Sequence, residues 1–269
     1  MSSLATNGSL SITPRLSNDR GHANHGWLNS YHTFSFANYY DPKFESYHSL
    51  RVINEDRVSG DEGFGEHPHR DAEIFSYIVS GALRHQDSMG NLESLGRGSI
   101  QFTSAGSGIE HSEFNDHRKD LVHFIQIWVR PSVRGLKPSY TTRSFSDAEK
   151  KDQLRLILSE DGRDGSILIH QDINVYASIL TPSKSVQHTV EPGRDVYVHL
   201  IQDATGFKTE ANKTGLTIEA SNGTANLKGG DGAFIKLSND QKTAQTFTLT
   251  GAGVDGAAAE FILFDIKKQ

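Results

Sequence analysis

HPHRDAEIFSYIVSGALRHQDSMGN, residues 67–91, and GSGIEHSEFN, residues 106–115, decide how this chain is read. Each holds a short step of metal-capable side chains, His67-Pro68-His69 in the first and His111-Ser112-Glu113 in the second. Residues i and i+2 of a strand point to the same face, so each step can present two donors to one point inside a barrel. Three imidazoles and one carboxylate then meet at a single ion, at bond lengths of about 2.0–2.2 Å, with positions left for water, dioxygen or substrate. Pro68 fixes its own φ and points away from that face. Gly106 and Gly108 allow the tight turn that delivers the second pair to a barrel mouth. Glu113 is also the candidate catalytic base. Glu73, spaced H-x-x-x-E from His69, competes with it as a ligand or serves as a partner that orients an imidazole. One H-x-H alone is often coincidence; the second step makes metal binding the favoured reading.

Working outward, the chain reads as short strands separated by turn clusters. Residues 27–41 (WLNSYHTFSFANYYD) alternate His32, Phe34 and Phe36 against Thr33 and Ser35, a half-buried strand that Asp41-Pro42 ends. Further strands are expected at residues 48–54, 73–79, 82–86, 99–103 and 123–129, and this spacing implies a sandwich or barrel. A polar stretch from Arg130-Pro131 through Tyr140 reads as a linker, and Ser146-Asp147-Ala148-Glu149 as a capping box opening a short helix. A second series follows at residues 154–158, 167–170, 174–180, 196–201, 216–220, 233–237, 246–249 and 260–266. Its segment Gly229-Gly230-Asp231-Gly232-Ala233 stands where Gly96-Arg97-Gly98-Ser99-Ile100 stands in the first, which hints at an internal duplication. The second half has no H-x-H step, so a second barrel there is expected to be empty.

Composition agrees and narrows the function. Among 269 residues, 25 Gly and only 2 Met suit a turn-rich sheet protein. A net charge of −6 offers no positive field for a nucleic-acid backbone, so any role at DNA would pass through a protein partner. The absence of cysteine excludes disulfides and thiolate sites, leaving His, Asp and Glu as the strong ligands. The first 14 residues lack a basic n-region and an apolar h-region, and no apolar run is long enough to span a bilayer. A cytoplasmic, non-secreted, monomeric protein is expected, nuclear if the source is eukaryotic. The Ser-rich, acid-free head faintly echoes an organellar transit peptide. Ten of the 13 histidines, His22, His25, His32, His48, His85, His117, His123, His170, His188 and His199, are expected to be structural.

The pattern His67-Pro68-His69, Glu73 and Gly81, followed by Gly108, His111 and Asn115, resembles the two motifs of the cupin superfamily. The surrounding text is similar to the pirin family in particular, at residues 20–42, 50–58, 67–91 and 104–115, and again at GSILIHQDINVY, EPGRD and EFILFDI. The resemblance implies an all-β bicupin, two jelly-roll barrels in tandem. A head over residues 1–13 would be disordered, residues 14–140 would bind the metal, and residues 141–269 would form a barrel without a site. It places the ligands on His67, His69, His111 and Glu113, with Glu73 outside the set. It implies Fe(II) first, with Cu, Ni, Co, Mn or Zn admissible, and quercetin 2,3-dioxygenase-type cleavage of a flavonol by dioxygen. The alternative is a non-catalytic, iron-containing, redox-sensitive adaptor or transcriptional coregulator acting through protein partners. Phe34, Phe36 and Phe64 are candidates to line the mouth, ordinary core packing being the stronger expectation for the first two. Residues 203–223 depart from the family in being longer and more polar, which bears on the rim of the second barrel.

Overall fold

The computed structural model describes residues 10–202 and 213–269. In chain order its strands are β1 (Leu10–Arg15), β2 (Gly21–Asn24), β3 (Leu28–His32), β4 (Leu50–Val58), β5 (Gly63–His69), β6 (Glu73–Ser80), β7 (Ala82–Asp87), β8 (Leu92–Gly96), β9 (Ser99–Ser104), β10 (Ile109–Asn115), β11 (Val122–Val129) and β12 (Ser139–Ser144). After helix α1 (Asp147–Lys150) come β13 (Arg155–Ser159), β14 (Ile167–Leu168), β15 (Ile173–Leu180), β16 (Ser185–Val190), β17 (Arg194–Leu200), β18 (Gly215–Ala220), β19 (Gly223–Lys228), β20 (Gly232–Leu237), β21 (Gln245–Gly251) and β22 (Ala259–Lys267). Part of the long polar segment, residues 203–212, lies outside the described residues. The capping box forms as read: the Ser146 side chain accepts from the Glu149 amide while Glu149 reaches back to the Ser146 amide. No helix among the described residues is long and apolar enough to cross a membrane.

Each half is a seven-stranded sheet over a four-stranded one. The first half runs β12-β9-β6-β11-β4-β3-β2 and β5-β10-β7-β8; the second runs β1-β20-β17-β22-β15-β13-β14 and β16-β21-β18-β19. Place by place the two orders match, β9 with β20, β6 with β17, β11 with β22, β5 with β16 and β10 with β21. The segments read as equivalent, 96–100 and 229–233, lead into the matching strands β9 and β20, and each carries a left-handed glycine just before its strand, Gly98 (φ 76°) and Gly230 (φ 89°).

The repeat also shows what the second barrel lacks. His111 on β10 faces His67 on β5, and Phe247 on β21 faces His188 on β16. The steps His67-Pro68-His69 and His111-Ser112-Glu113 therefore correspond to His188-Thr189-Val190 and Phe247-Thr248-Leu249. Val190, Phe247 and Leu249 are buried in the second core, and the Nε2 of His188 bonds Asp265 at 3.0 Å.

Three expectations need correction. Residues 10–13, expected within a disordered head, belong to β1, which pairs with β20 of the second barrel because Leu10 buries in that core. The boundary expected between residues 140 and 141 falls inside β12, which pairs with β9 of the first barrel. The strand expected over residues 27–41 closes at His32: Phe36 and Tyr39 exchange backbone hydrogen bonds around a left-handed Ala37, and this tight turn breaks the alternation.

The barrels meet through a shared apolar cluster that includes Phe34, Phe75, Tyr77, Tyr197, Phe234 and Phe264. Within this interface Glu55 is fully buried and accepts hydrogen bonds from Arg20 Nη1 (3.3 Å), His123 Nε2 (3.0 Å), His199 Nε2 (3.2 Å) and the Gln202 amide (2.8 Å). Although burial alone would raise it, the bonds from His123 and His199 and the charge of Arg20 hold the Glu55 carboxyl well below the usual range. Removing the acceptor strands a buried guanidinium. Glu55→Ala is expected to lose about 3–5 kcal/mol in chemical denaturation; a loss under about 1 kcal/mol would show that the cluster does not hold the barrels together.

Candidate metal centre

Antiparallel pairing of β5 with β10 sets His111 directly opposite His67, and the i, i+2 rule adds His69 to the same face. Between His111 and Glu113 the register shifts, so that Glu113 pairs with Phe64. The extra residue of β5 forms a bulge beside Gly65. The Gly65 carbonyl accepts from His67 Nδ1 at 2.7 Å. A carbonyl can only accept, so Nδ1 carries the proton and Nε2 keeps its lone pair.

The three rings converge. His67 and His111 bring their Nε2 atoms to 3.1 Å, and the three ring centroids lie 4.5–4.7 Å apart. One ring nitrogen from each of His67, His69 and His111 lies within 4.8 Å of the other two. Two nitrogens bound at about 2.1 Å and at right angles would stand about 3.0 Å apart, so the His67–His111 spacing fits one first-row ion. Burial, then the charges of the neighbouring imidazoles, push His69 and His111 down to about 3, leaving both rings neutral and ready to ligate at neutral pH.

Glu113 is close but arranged differently. It meets the same 4.8 Å criterion with His111 and His85, while its carboxylate accepts from Ser76 Oγ (3.3 Å) and Gln126 Nε2 (3.0 Å). Burial raises its pKa against the opposing charges of His85 and His67. Glu73 takes neither of the roles weighed for it. Its carboxylate accepts from Ser104 Oγ (2.6 Å) and from His170, through the amide (3.2 Å) and Nδ1 (3.1 Å), which ties β6 to the second half of the chain.

His85, expected to be structural, stands directly opposite Glu113 in the β7–β10 pairing and is fully buried. Its Nε2–H donates to Asp87 Oδ2 (3.0 Å), and its ring stacks on Tyr140 at 4.5 Å. Tyr140, assigned to a linker, therefore braces the centre from β12.

A cavity of about 430 Å³ opens on His67 and His69. Trp27, Phe36, Phe64 and Trp128 supply aromatic walls, and Trp128 meets the His69 ring edge-on at 4.8 Å. Phe36 and Phe64 thus reach the mouth, whereas Phe34 packs in the interface core. The cavity also includes Ser30, His32, Asn54, Asp56 and Gln126. His69 borders an open depression of about 560 Å³ as well, but that one touches neither His67 nor any aromatic residue. Asn54 and Asp56 left a readable trace in the sequence: three consecutive polar residues, Asn54-Glu55-Asp56, stand in the middle of a strand, and alternation sends residues 54 and 56 to the cavity and 55 to the barrel interface. The two tryptophans carried no comparable signal.

Two facing jelly-roll barrels with an imidazole cluster in the first define a bicupin. Residues 14–129 match the family described as Pirin, and residues 156–266 match the quercetinase C-terminal cupin domain. The chain is 46% identical over 188 residues to the quercetin 2,3-dioxygenase of Escherichia coli strain K12, covering 70% of this chain and 80% of that protein. It is 42% identical over 206 residues to a putative quercetin 2,3-dioxygenase of Pseudomonas aeruginosa, covering 76% and 86%. The crystal structure of the bacterial pirin YhhW from E. coli, in complex with nickel(II), aligns with a TM-score of 0.82 at 38% identity over 96% of this chain and all of that one. The chain belongs to the pirin family.

Below the ordinary value of 6.5, unfolded chains protonate His69 and His111, whereas the metal-free folded chain keeps them neutral down to about 3. The unfolded state binds more protons in that window, so stability falls as the pH falls through it. The metal-free protein is expected to melt at a lower temperature at pH 5 than at pH 7, with a smaller difference in His111→Phe; equal differences in the two proteins would contradict this.

Proposed function

We propose that the chain is a metal-dependent dioxygenase that cleaves a flavonol of the quercetin type with dioxygen. The observation that carries the reading is the convergence of the His67, His69 and His111 imidazoles at the end of an aromatic-walled cavity. The relatives named as quercetin 2,3-dioxygenases support it, and the nickel complex of a pirin supports a single metal ion.

In this reading His67, His69, His111 and Glu113 hold the ion. Fe(II) is placed first, with Cu, Ni, Co, Mn or Zn able to take the same nitrogen and oxygen donors. When bound, such an ion supplies Lewis acidity and open positions for oxygen donors. The chain does the rest. Trp27, Phe36, Phe64 and Trp128 hold a planar ring and exclude water. Glu113, whose raised pKa makes it a better proton acceptor, takes the proton of the substrate hydroxyl at its carboxylate. Ser76 and Gln126 keep that carboxylate aimed.

Metal-reconstituted protein is expected to consume oxygen when quercetin is added. His67→Ala is expected to lose bound metal and with it nearly all uptake. Glu113→Gln is expected to lower kcat by about 10²–10⁴. An oxygen electrode reads the rates and elemental analysis the metal content. Absence of uptake with every one of iron, copper, nickel, cobalt and manganese would overturn the proposal.

A further inference from the structure

We propose that Asp56 recognises a hydroxyl group of the bound substrate, its Oδ1 accepting a hydrogen bond from a phenolic O–H in the aromatic cavity. The proposal rests on the flavonol reading and adds a residue that positions the substrate away from the metal ligands.

Asp56 lines the cavity yet is only 2% exposed. Ser30 hydrogen-bonds its carboxyl, but Oδ1 has no partner among the described residues. A buried carboxyl oxygen left without a donor is costly, and the cost is removed when a ligand supplies one. Among its neighbours on the cavity wall, Trp128 Nε1 is a donor that likewise has no partner among the described residues, whereas two other polar atoms are engaged. Asn54 Oδ1 is bound to His32 Nδ1 at 2.8 Å, and Gln126 Nε2 to Glu113 at 3.0 Å. Asp56 thus carries a buried, unpartnered acceptor beside walls shaped for a flat ring. Burial, with repulsion from Glu113 and Glu55, pushes its carboxyl up to about 7, against the opposing effects of the Ser30 hydrogen bond and the Arg57 charge. A polyhydroxylated planar aromatic satisfies both features at once: rings for Trp27 and Trp128, and a hydroxyl for Asp56.

The chain's two tryptophans both line this cavity, so intrinsic fluorescence reports on its occupancy. Quercetin and unsubstituted flavone would be titrated under nitrogen, without turnover, into metal-loaded full-length wild type, Asp56→Ala and Asp56→Asn. The expected result is a Kd for quercetin raised about tenfold or more in Asp56→Ala. Asp56→Asn, which keeps an acceptor oxygen, is expected to stay within about threefold of wild type, and flavone to be no weaker in either variant. Melting temperatures are expected to be equal or higher in both variants, which a purely structural carboxylate would not give. Equal quercetin affinity in wild type and Asp56→Ala would overturn the proposal, as would an Asn variant as weak as the Ala variant, or flavone weakened by the same factor. Wild type unquenched by quercetin would overturn it together with the flavonol reading, whereas quenching that is indifferent to residue 56 would overturn it alone.

Discussion

The pairing of β5 with β10 in the register that opposes His111 and His67 is the constraint on which the centre depends. Side chains alternate along a strand with period two, so a slip of one residue would send His67 and His69 to the outer face together. The bulge near Gly65 adjusts this register locally. It gives His67 a carbonyl that fixes its tautomer and turns Glu113 away from strict alignment with the imidazoles. Three imidazoles crowded to ring-centroid distances of 4.5–4.7 Å gain little as a fold element. Their arrangement becomes favourable when a cation is shared among them.

The second barrel shows the same scaffold without that chemistry. Its strand order repeats the first, and the register places Val190, Phe247 and Leu249 where His69, His111 and Glu113 stand. Apolar side chains there close a core, whereas donors in the first barrel leave room for a cavity. The two halves remain one molecule through the apolar interface around Tyr197 and Phe234 and through Glu55, which gathers hydrogen bonds from both barrels. The strand β1, which precedes the first barrel in sequence, completes the sheet of the second barrel, so the second half requires a segment from the far side of the first.

Much of this was legible from short-range pattern. Period-two spacing pointed to both donor steps, and the equivalence of the segments 96–100 and 229–233 pointed to the repeat. What pattern could not supply was the partner of each side chain. Glu73 satisfies the spacing of a ligand but faces His170 instead, because β6 presents it to the opposite side of the sheet. His85 and Tyr140 lie 16 and 27 residues from the nearest donor, and pairing of β7 with β10 and of β12 with β9 was needed to bring them together. Leu10 and Ile12 alternate like a strand, but the Ser- and Thr-rich text around them hid an element that pairs with residues more than two hundred positions away.

The central claim is that His67, His69, His111 and Glu113 share one cation in the first barrel. Anomalous diffraction at the metal's absorption edge, from crystals of fully loaded protein, tests it most directly. The account predicts one peak per chain, among these four side chains, and none in the second barrel. A peak bound elsewhere, or four side chains without one in a loaded preparation, would contradict it.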